Sequence, residues 1–123
     1  MDRTDVLRWV EAYERVWRAD DTAALGTLFT EDVRYLRSPY EPPIKGLPAV
    51  RGFWSDPEPF TMSAWVVAVE GRDAVVRALV RYTGDEPQEY TDLWVLQFAP
   101  DGRVEHFEEW PYWPGRGYSA SQG

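Results

Sequence analysis

Val6, Trp9, Val10, Tyr13, Val16 and Trp17 recur at three- and four-residue spacing near the start of the chain, forming one apolar stripe of an amphipathic helix. Thr4 or Asp5 is placed to cap it. Asp20, Asp21 and Thr22 interrupt the stripe, and Ala24, Leu25, Leu28 and Phe29 mark the apolar side of a second, shorter helix. The period then changes. EDVRYLR (31–37) reads as a strand, stopped by SPYEPPIKG, because prolines cannot continue a ladder. LPAVRGFWSD (47–56) predicts a third short helix with Pro48 in its first turn.

Beyond residue 59 the pattern is almost entirely β. FTMSAWVVAVE and AVVRALVRYT flank the short turn Gly71-Arg72-Asp73, a hairpin signature. Gly84, Asp85, Glu86 and Pro87 turn the chain again. EYTDLWVLQF and RVEHFEEW then flank Ala99-Pro100-Asp101-Gly102, a second hairpin with glycine supplying the positive φ. No repeat or linker is visible. Helices followed by an antiparallel meander define an α+β domain over residues 1–114, with helices packed on one face of a curved sheet. Residues 115–123 (GRGYSASQG) are expected to form a loose tail.

Length and composition narrow the function. A chain of 123 residues, 44% hydrophobic, supports one core. The formal charge of −8 argues against nucleic acid or anionic lipid as partner. No run approaches the length of a membrane span, and Met1 leads straight into DRTD, so a cytoplasmic protein is expected. With no cysteine and only His106, thiolate chemistry and multi-histidine metal motifs are excluded, and no spaced acidic loop of the calcium-binding kind is visible. A carboxylate-only magnesium or calcium site is left open by composition, but the chemistry expected here uses no cofactor and no metal. Seven tryptophans, seven tyrosines and five phenylalanines exceed what a small core requires. The excess points to a ring-lined cavity or a subunit interface.

The stretch AYERVWRADDTAALGTLFTEDVRYLRSPYEPPIKG resembles the N-terminal half of ketosteroid isomerase without a gap. It has the helix-one tyrosine, an acidic turn before helix two, an acidic pair before strand one, and the P-P-I-x-G that follows. DLWVLQFAPDGRVEHFEEW resembles the closing hairpin of the same group. Together they resemble the nuclear transport factor two-like superfamily, whose members include SnoaL-like polyketide cyclases, ketosteroid isomerase and limonene epoxide hydrolase. The resemblance runs to about Trp113. It implies a cone-shaped curved sheet wrapped around N-terminal helices, a cystatin-like α+β roll. It does not carry one activity, because this fold hosts many chemistries. The isomerase's oxyanion-stabilising tyrosine falls on Tyr13, but its proton-moving aspartate falls on Arg37 and its protonated aspartate on Trp94. Arginine accepts no proton at neutral pH, so the chain is not a ketosteroid isomerase.

Strand alternation sorts the remaining candidates. With Arg37 at the isomerase base's position, Tyr35 and Arg37 face the cavity. Asp92, Trp94, Leu96 and Phe98 share one face of their strand, which the resemblance implies is the inner one. On the last strand, either Phe107 and Glu109 or His106, Glu108 and Trp110 point inward, with the first register favoured by the resemblance. Arg37 is then expected to pair with Asp92 or Glu109, since a buried unpaired guanidinium is costly. An arginine beside Asp92 would lower its pKa, whereas Glu109 packed on Trp94 would have its own raised and serve as the acid. Limonene epoxide hydrolase, where an arginine between two aspartates positions a water, is similar in chemistry but not in motif, because Tyr90 stands where its arginine would be.

The candidate catalytic set is Asp92, Glu109, Tyr13 and His106, with Arg37, Trp17, Tyr35, Trp54, Trp94 and Phe107 lining the substrate site. Each also has a purely structural reading: an ion pair for Arg37 and Asp92, core packing for Tyr13 and the tryptophans, an exposed strand position for His106 and Glu109. EWPYWPG reads as a lid or a dimer seam. Three functions follow: an acid/base isomerase, cyclase, dehydratase or hydrolase acting on a small apolar or aromatic molecule; a binding module without turnover; or a structural dimer whose interior is filled with rings. Arg77 and Arg81 alternate with apolar residues, and Val75 and Leu79 on the same face fit a modest homodimer surface, as the resemblance implies.

Overall fold

A computed structural model describes residues 1–115. Apart from Gly115, the tail expected over 115–123 lies outside the described residues. Helix α1 (Arg3–Ala19) buries Val6, Trp9, Val10, Tyr13 and Trp17, the stripe read from spacing. Its cap is Asp2, not Thr4 or Asp5. The Asp2 carboxylate accepts from Asp5 N–H while the Asp5 carboxylate accepts from Asp2 N–H, each at 2.9 Å, satisfying two otherwise orphaned donors. The helix stops at Asp20, in the left-handed region at φ 50°.

The second helix is a single 3-10 segment, Thr22–Thr27. Gly26 and the shortness of the segment oppose a longer α-helix. Leu25 and Leu28 are buried as expected, but Phe29 is fully buried as the first residue of a strand. That strand, β1, is Phe29–Leu36, so it starts two residues before the predicted strand and ends one residue short of Arg37. A two-residue β2 (Ile44–Lys45) returns beside it, and α2 spans Leu47–Phe53 with proline in its first turn. The two hairpins follow as β3 (Phe60–Glu70) with β4 (Asp73–Tyr82), and β5 (Gln88–Phe98) with β6 (Val104–Tyr112).

All six strands form one curved, unclosed sheet in the order β2-β1-β6-β5-β4-β3. It is not wholly antiparallel: β1 runs parallel to β6, while every other pair is antiparallel. Pro111 is tolerated in β6 because β1 ends opposite Glu108, leaving the last residues of β6 at a local edge. Helix α1 crosses the concave face, where Trp9 meets Trp94 and Phe98 edge-on at 6.4 and 6.0 Å and Tyr13 stacks on Phe107 at 5.7 Å. Among the described residues no helix is long and apolar enough to cross a membrane.

Candidate functional site

The register of β6 decides what the concave face contains. Gln97 pairs with His106 and Phe98 with Val104, so Glu105 is an extra residue in the ladder. This bulge shifts the alternation. Val104 and Phe107 are buried on the inner face, and Glu109 stands opposite Trp94. On β5 the inner column is Asp92, Trp94, Leu96 and Phe98, all at most 1% exposed.

Asp92 is held by two donors. Trp94 Nε1–H donates to Oδ2 and Trp110 N–H to Oδ1, both at 3.0 Å. Its carboxyl also shares a hydrogen bond with that of Glu109. Two carboxyls can bond to each other only through a retained proton. Burial pushes the Asp92 pKa up to about 6, against the opposing pull of Glu109, Trp94 and the Trp110 amide. Glu109 is driven well above the usual carboxylate range by burial first and by the Asp92 charge second. Of the two, Glu109 is pushed harder toward the neutral acid, by its burial and by the neighbouring Asp92 carboxylate.

Tyrosines surround Glu109. Tyr35 O–H lies 3.4 Å from Glu109 Oε2. The Tyr13 hydroxyl meets those of Tyr35 and the Trp54 side chain, and burial raises both tyrosine pKa values strongly. Phe107 stacks against Tyr13 and Tyr35 at 5.7 and 4.7 Å, and Tyr13 lies 4.8 Å from Trp94. These contacts fix the rings and hence the positions of their hydroxyls.

Two adjoining hollows open from this cluster. The inner one, about 270 Å³, is lined by Tyr13, Trp17, Tyr35, Trp54 and Glu109 among others. The outer one, about 670 Å³, takes its wall from Tyr40, Gln88, Pro111 and Trp113. Arg37, Tyr82, Tyr90 and Glu109 belong to both. The remaining accessible surface of Glu109 is therefore at the hollow's edge, which reconciles its partial exposure with its desolvated carboxyl. EWPYWPG supplies part of the mouth, with Trp113 packed 5.7 Å from Tyr90.

Several expectations change. Arg37 forms no ion pair with Asp92 or Glu109. It is exposed beyond the end of β1, with its guanidinium 5.9 Å from the Phe53 ring centroid. The chain bends at Arg37 and Ser38 beyond the end of β1, and Asp92 already has two N–H donors. Arg37 reaches Glu109 only as a weak electrostatic influence, the smallest of the causes acting on it. The Asp92 pKa is raised, opposite to the lowering expected from an arginine neighbour.

His106 falls on the opposite face of β6, its Nε2 lying 3.1 Å from Glu108 Oε1, and Glu108 also accepts from Trp110 Nε1–H at 2.7 Å. It cannot join the acids inside. Asp92, Trp94 and Phe107 line neither hollow; Trp94 and Phe107 are core beneath it.

Tyr82, Tyr90 and Asp56 are at the mouth but were not among the candidates. Tyr82 O–H donates to Asp56 Oδ2 at 2.7 Å, and the Tyr82 and Tyr90 rings stack at 6.2 Å. Alternation does contain the signal for the tyrosines, because Tyr90 shares parity with Asp92 and Tyr82 with Val80. Asp56 follows α2 in an irregular segment and had no periodic signal.

The sequence pattern of the SnoaL-like domain matches residues 10–107. No curated protein sequence matches the chain. Solved structures do. An LEH-like epoxide hydrolase of M. tuberculosis superimposes with TM-score 0.68 at 14% identity, covering 89% of this chain and 84% of that one. A steroid delta-isomerase from Pseudomonas aeruginosa gives 0.64 at 20% identity, covering 88% and 80%. SalBIII, an epoxide hydrolase/cyclase-like enzyme with a role in pyran ring formation in salinomycin, gives 0.72 at 17% identity, covering 93% and 94%. At these identities the likeness is one of fold.

Proposed function

The chain belongs to the SnoaL-like domain family, and from that premise we propose that it is a cofactor-independent cytoplasmic acid/base enzyme acting on a small, largely apolar molecule. The reaction would be an isomerisation, cyclisation, dehydration or hydrolysis. The observation that carries this reading is the pair of neighbouring carboxyls, Asp92 buried at 1% exposure and Glu109 at the edge of a ring-walled hollow, whose desolvation favours the neutral acid on Glu109. Neighbours of this fold are named for epoxide hydrolysis, steroid isomerisation and pyran ring formation.

Glu109 faces the hollow and is the group that moves the proton. As a neutral acid it donates to a carbonyl, ether or epoxide oxygen, and the Tyr13 and Tyr35 hydroxyls support the charge that develops there. Once deprotonated, Glu109 stands beside ionised Asp92 in a desolvated site. Two adjacent anions are unfavourable, so the new carboxylate is a strong base and recovers a proton from another substrate atom or from water. Asp92 acts through Glu109 as a positioning residue. Trp17 and Trp54 shape the inner hollow, and a homodimer through the outer sheet face completes the proposed assembly.

A second reading is a binding module without turnover. The packed rings of Trp94 and Phe107 favour it, since they occupy the depth of the cone and leave only about 270 Å³ inside. The two readings separate once a panel of small epoxides, enones and hydroxyketones yields a substrate. Glu109→Gln should then reduce kcat at least 100-fold with ligand binding retained. Full activity of that variant rejects the acid/base assignment.

A further inference from the structure

The charges at the mouth are unevenly matched. Among the described residues Arg37 is the one basic side chain lining either hollow, whereas Glu41, Asp56 and Glu109 are acidic. Two of these acids have other engagements. Asp56 accepts the Tyr82 hydroxyl at 2.7 Å and the Glu58 amide at 3.4 Å. Glu109 is committed to Asp92 and Tyr35. Arg37 makes no ion pair with either, and Glu41 is an exposed rim residue that does not hold it.

A guanidinium left over a hydrophobic opening is an anchor for an anion. It offers a planar fork of donors that matches a carboxylate in two parallel hydrogen bonds. In a chain of net charge −8 the surrounding field opposes anions, so a substrate carboxylate has one local point of attraction here. Arg37 and Glu109 line both hollows, and the guanidinium is among the charges acting on the Glu109 carboxyl. An anion seated on Arg37 would therefore lie beside the proton donor, with its apolar remainder directed inward. The inner hollow, about 270 Å³ and continuous with the outer one through shared lining residues, is of a size for one or two fused rings.

We infer that the hollow selects small aromatic or alicyclic monocarboxylates, with the ring against Tyr13, Tyr35 and Trp54 and the carboxylate forked onto Arg37. The inference builds on the proposed substrate site but names a substrate class that an acid/base mechanism alone does not require. A neutral substrate would leave Arg37 without a function in binding.

The test uses 2-naphthoate and its neutral amide, 2-naphthamide, titrated calorimetrically into the wild-type protein, Arg37→Met and Arg34→Met. Arg34 is exposed on β1 and lines neither hollow. The wild type should bind the carboxylate at least about tenfold more tightly than the amide. That preference should vanish in Arg37→Met, persist in Arg34→Met, and leave amide affinity within about twofold throughout. Equal affinities in the wild type, or a preference that survives Arg37→Met, overturn the inference while leaving acid/base chemistry on a neutral substrate standing. Failure of both probes to bind overturns the inference together with the substrate site. Loss of the acid/base assignment, by contrast, would be read only from the turnover of Glu109→Gln.

Discussion

Asp92 and Glu109 stand side by side on adjacent antiparallel strands, with Asp92 1% exposed and further held by the Trp94 indole and the Trp110 amide. A carboxylate placed in this way is stabilised by its donors yet penalised by its burial. The measured consequence should be a pH dependence of stability with a definite sign.

Folding raises the Asp92 pKa from 3.8 to about 6. Between these values the folded chain holds a proton that the unfolded chain has released, so this contribution to stability is complete at low pH and is lost as pH rises through about 6. Urea unfolding of the wild type and Asp92→Asn reads it together with the change at Glu109, which loses the upward push of the Asp92 charge and so adds in the same direction. The wild-type-minus-variant free energy should decline by on the order of 2–3 kcal/mol from about pH 4 to about pH 7. An increase over that range contradicts the assignment.

Trp94 supports the ionised form of Asp92 through Nε1. Trp94→Phe removes that donor and part of a fully buried ring, costing about 2–4 kcal/mol at neutral pH. Protonated Asp92 needs the donor less, so the loss should shrink at about pH 4.5. A loss independent of pH would mean that the indole matters only for its volume.

Tyr13→Phe and Tyr35→Phe keep the rings stacked around Phe107 and remove only the hydroxyls. Each should cost about 1 kcal/mol of stability. Under the proposed chemistry each should also lower kcat/KM roughly 100-fold, mostly in kcat. An effect confined to KM would assign the hydroxyls to binding.

Trp65 and Val67 are 45% and 50% exposed on the outer face of β3, and Arg77 stacks 5.1 Å from the Trp65 ring. Val75 and Leu79 continue that face on β4. A homodimer through this surface predicts light scattering at twice the chain mass for the wild type and at the chain mass for Trp65→Glu. A monomeric wild type refutes the proposed assembly.

Much of the architecture is written in local pattern. The stripe from Val6 to Trp17 requires an amphipathic helix whichever surface it meets, and glycine and proline signals placed both hairpins within a few residues of their observed ends. Parity grouped the inner column of β5, and the family resemblance identified it as the inner one. The short second helix was misread because Leu25, Leu28 and Phe29 satisfy a helical spacing and also a turn leading into a buried strand. Periodicity cannot separate those over so few residues.

The chemistry was less accessible from the chain alone. Helical spacing put Tyr13 on the buried stripe, alternation grouped Asp92 with Trp94 and Tyr35 with Arg37, and the family resemblance, not the pattern, chose which of those strand faces is the inner one. Only the tertiary structure decided that Glu105 bulges out of the ladder and thereby turns Glu109 inward and His106 outward. It alone decided that β1 stops before Arg37, leaving the guanidinium at the rim. Both outcomes depend on how one strand ends or slips against another. Such long-range pairing leaves no periodic trace in either segment, and it sets which charges lose their water.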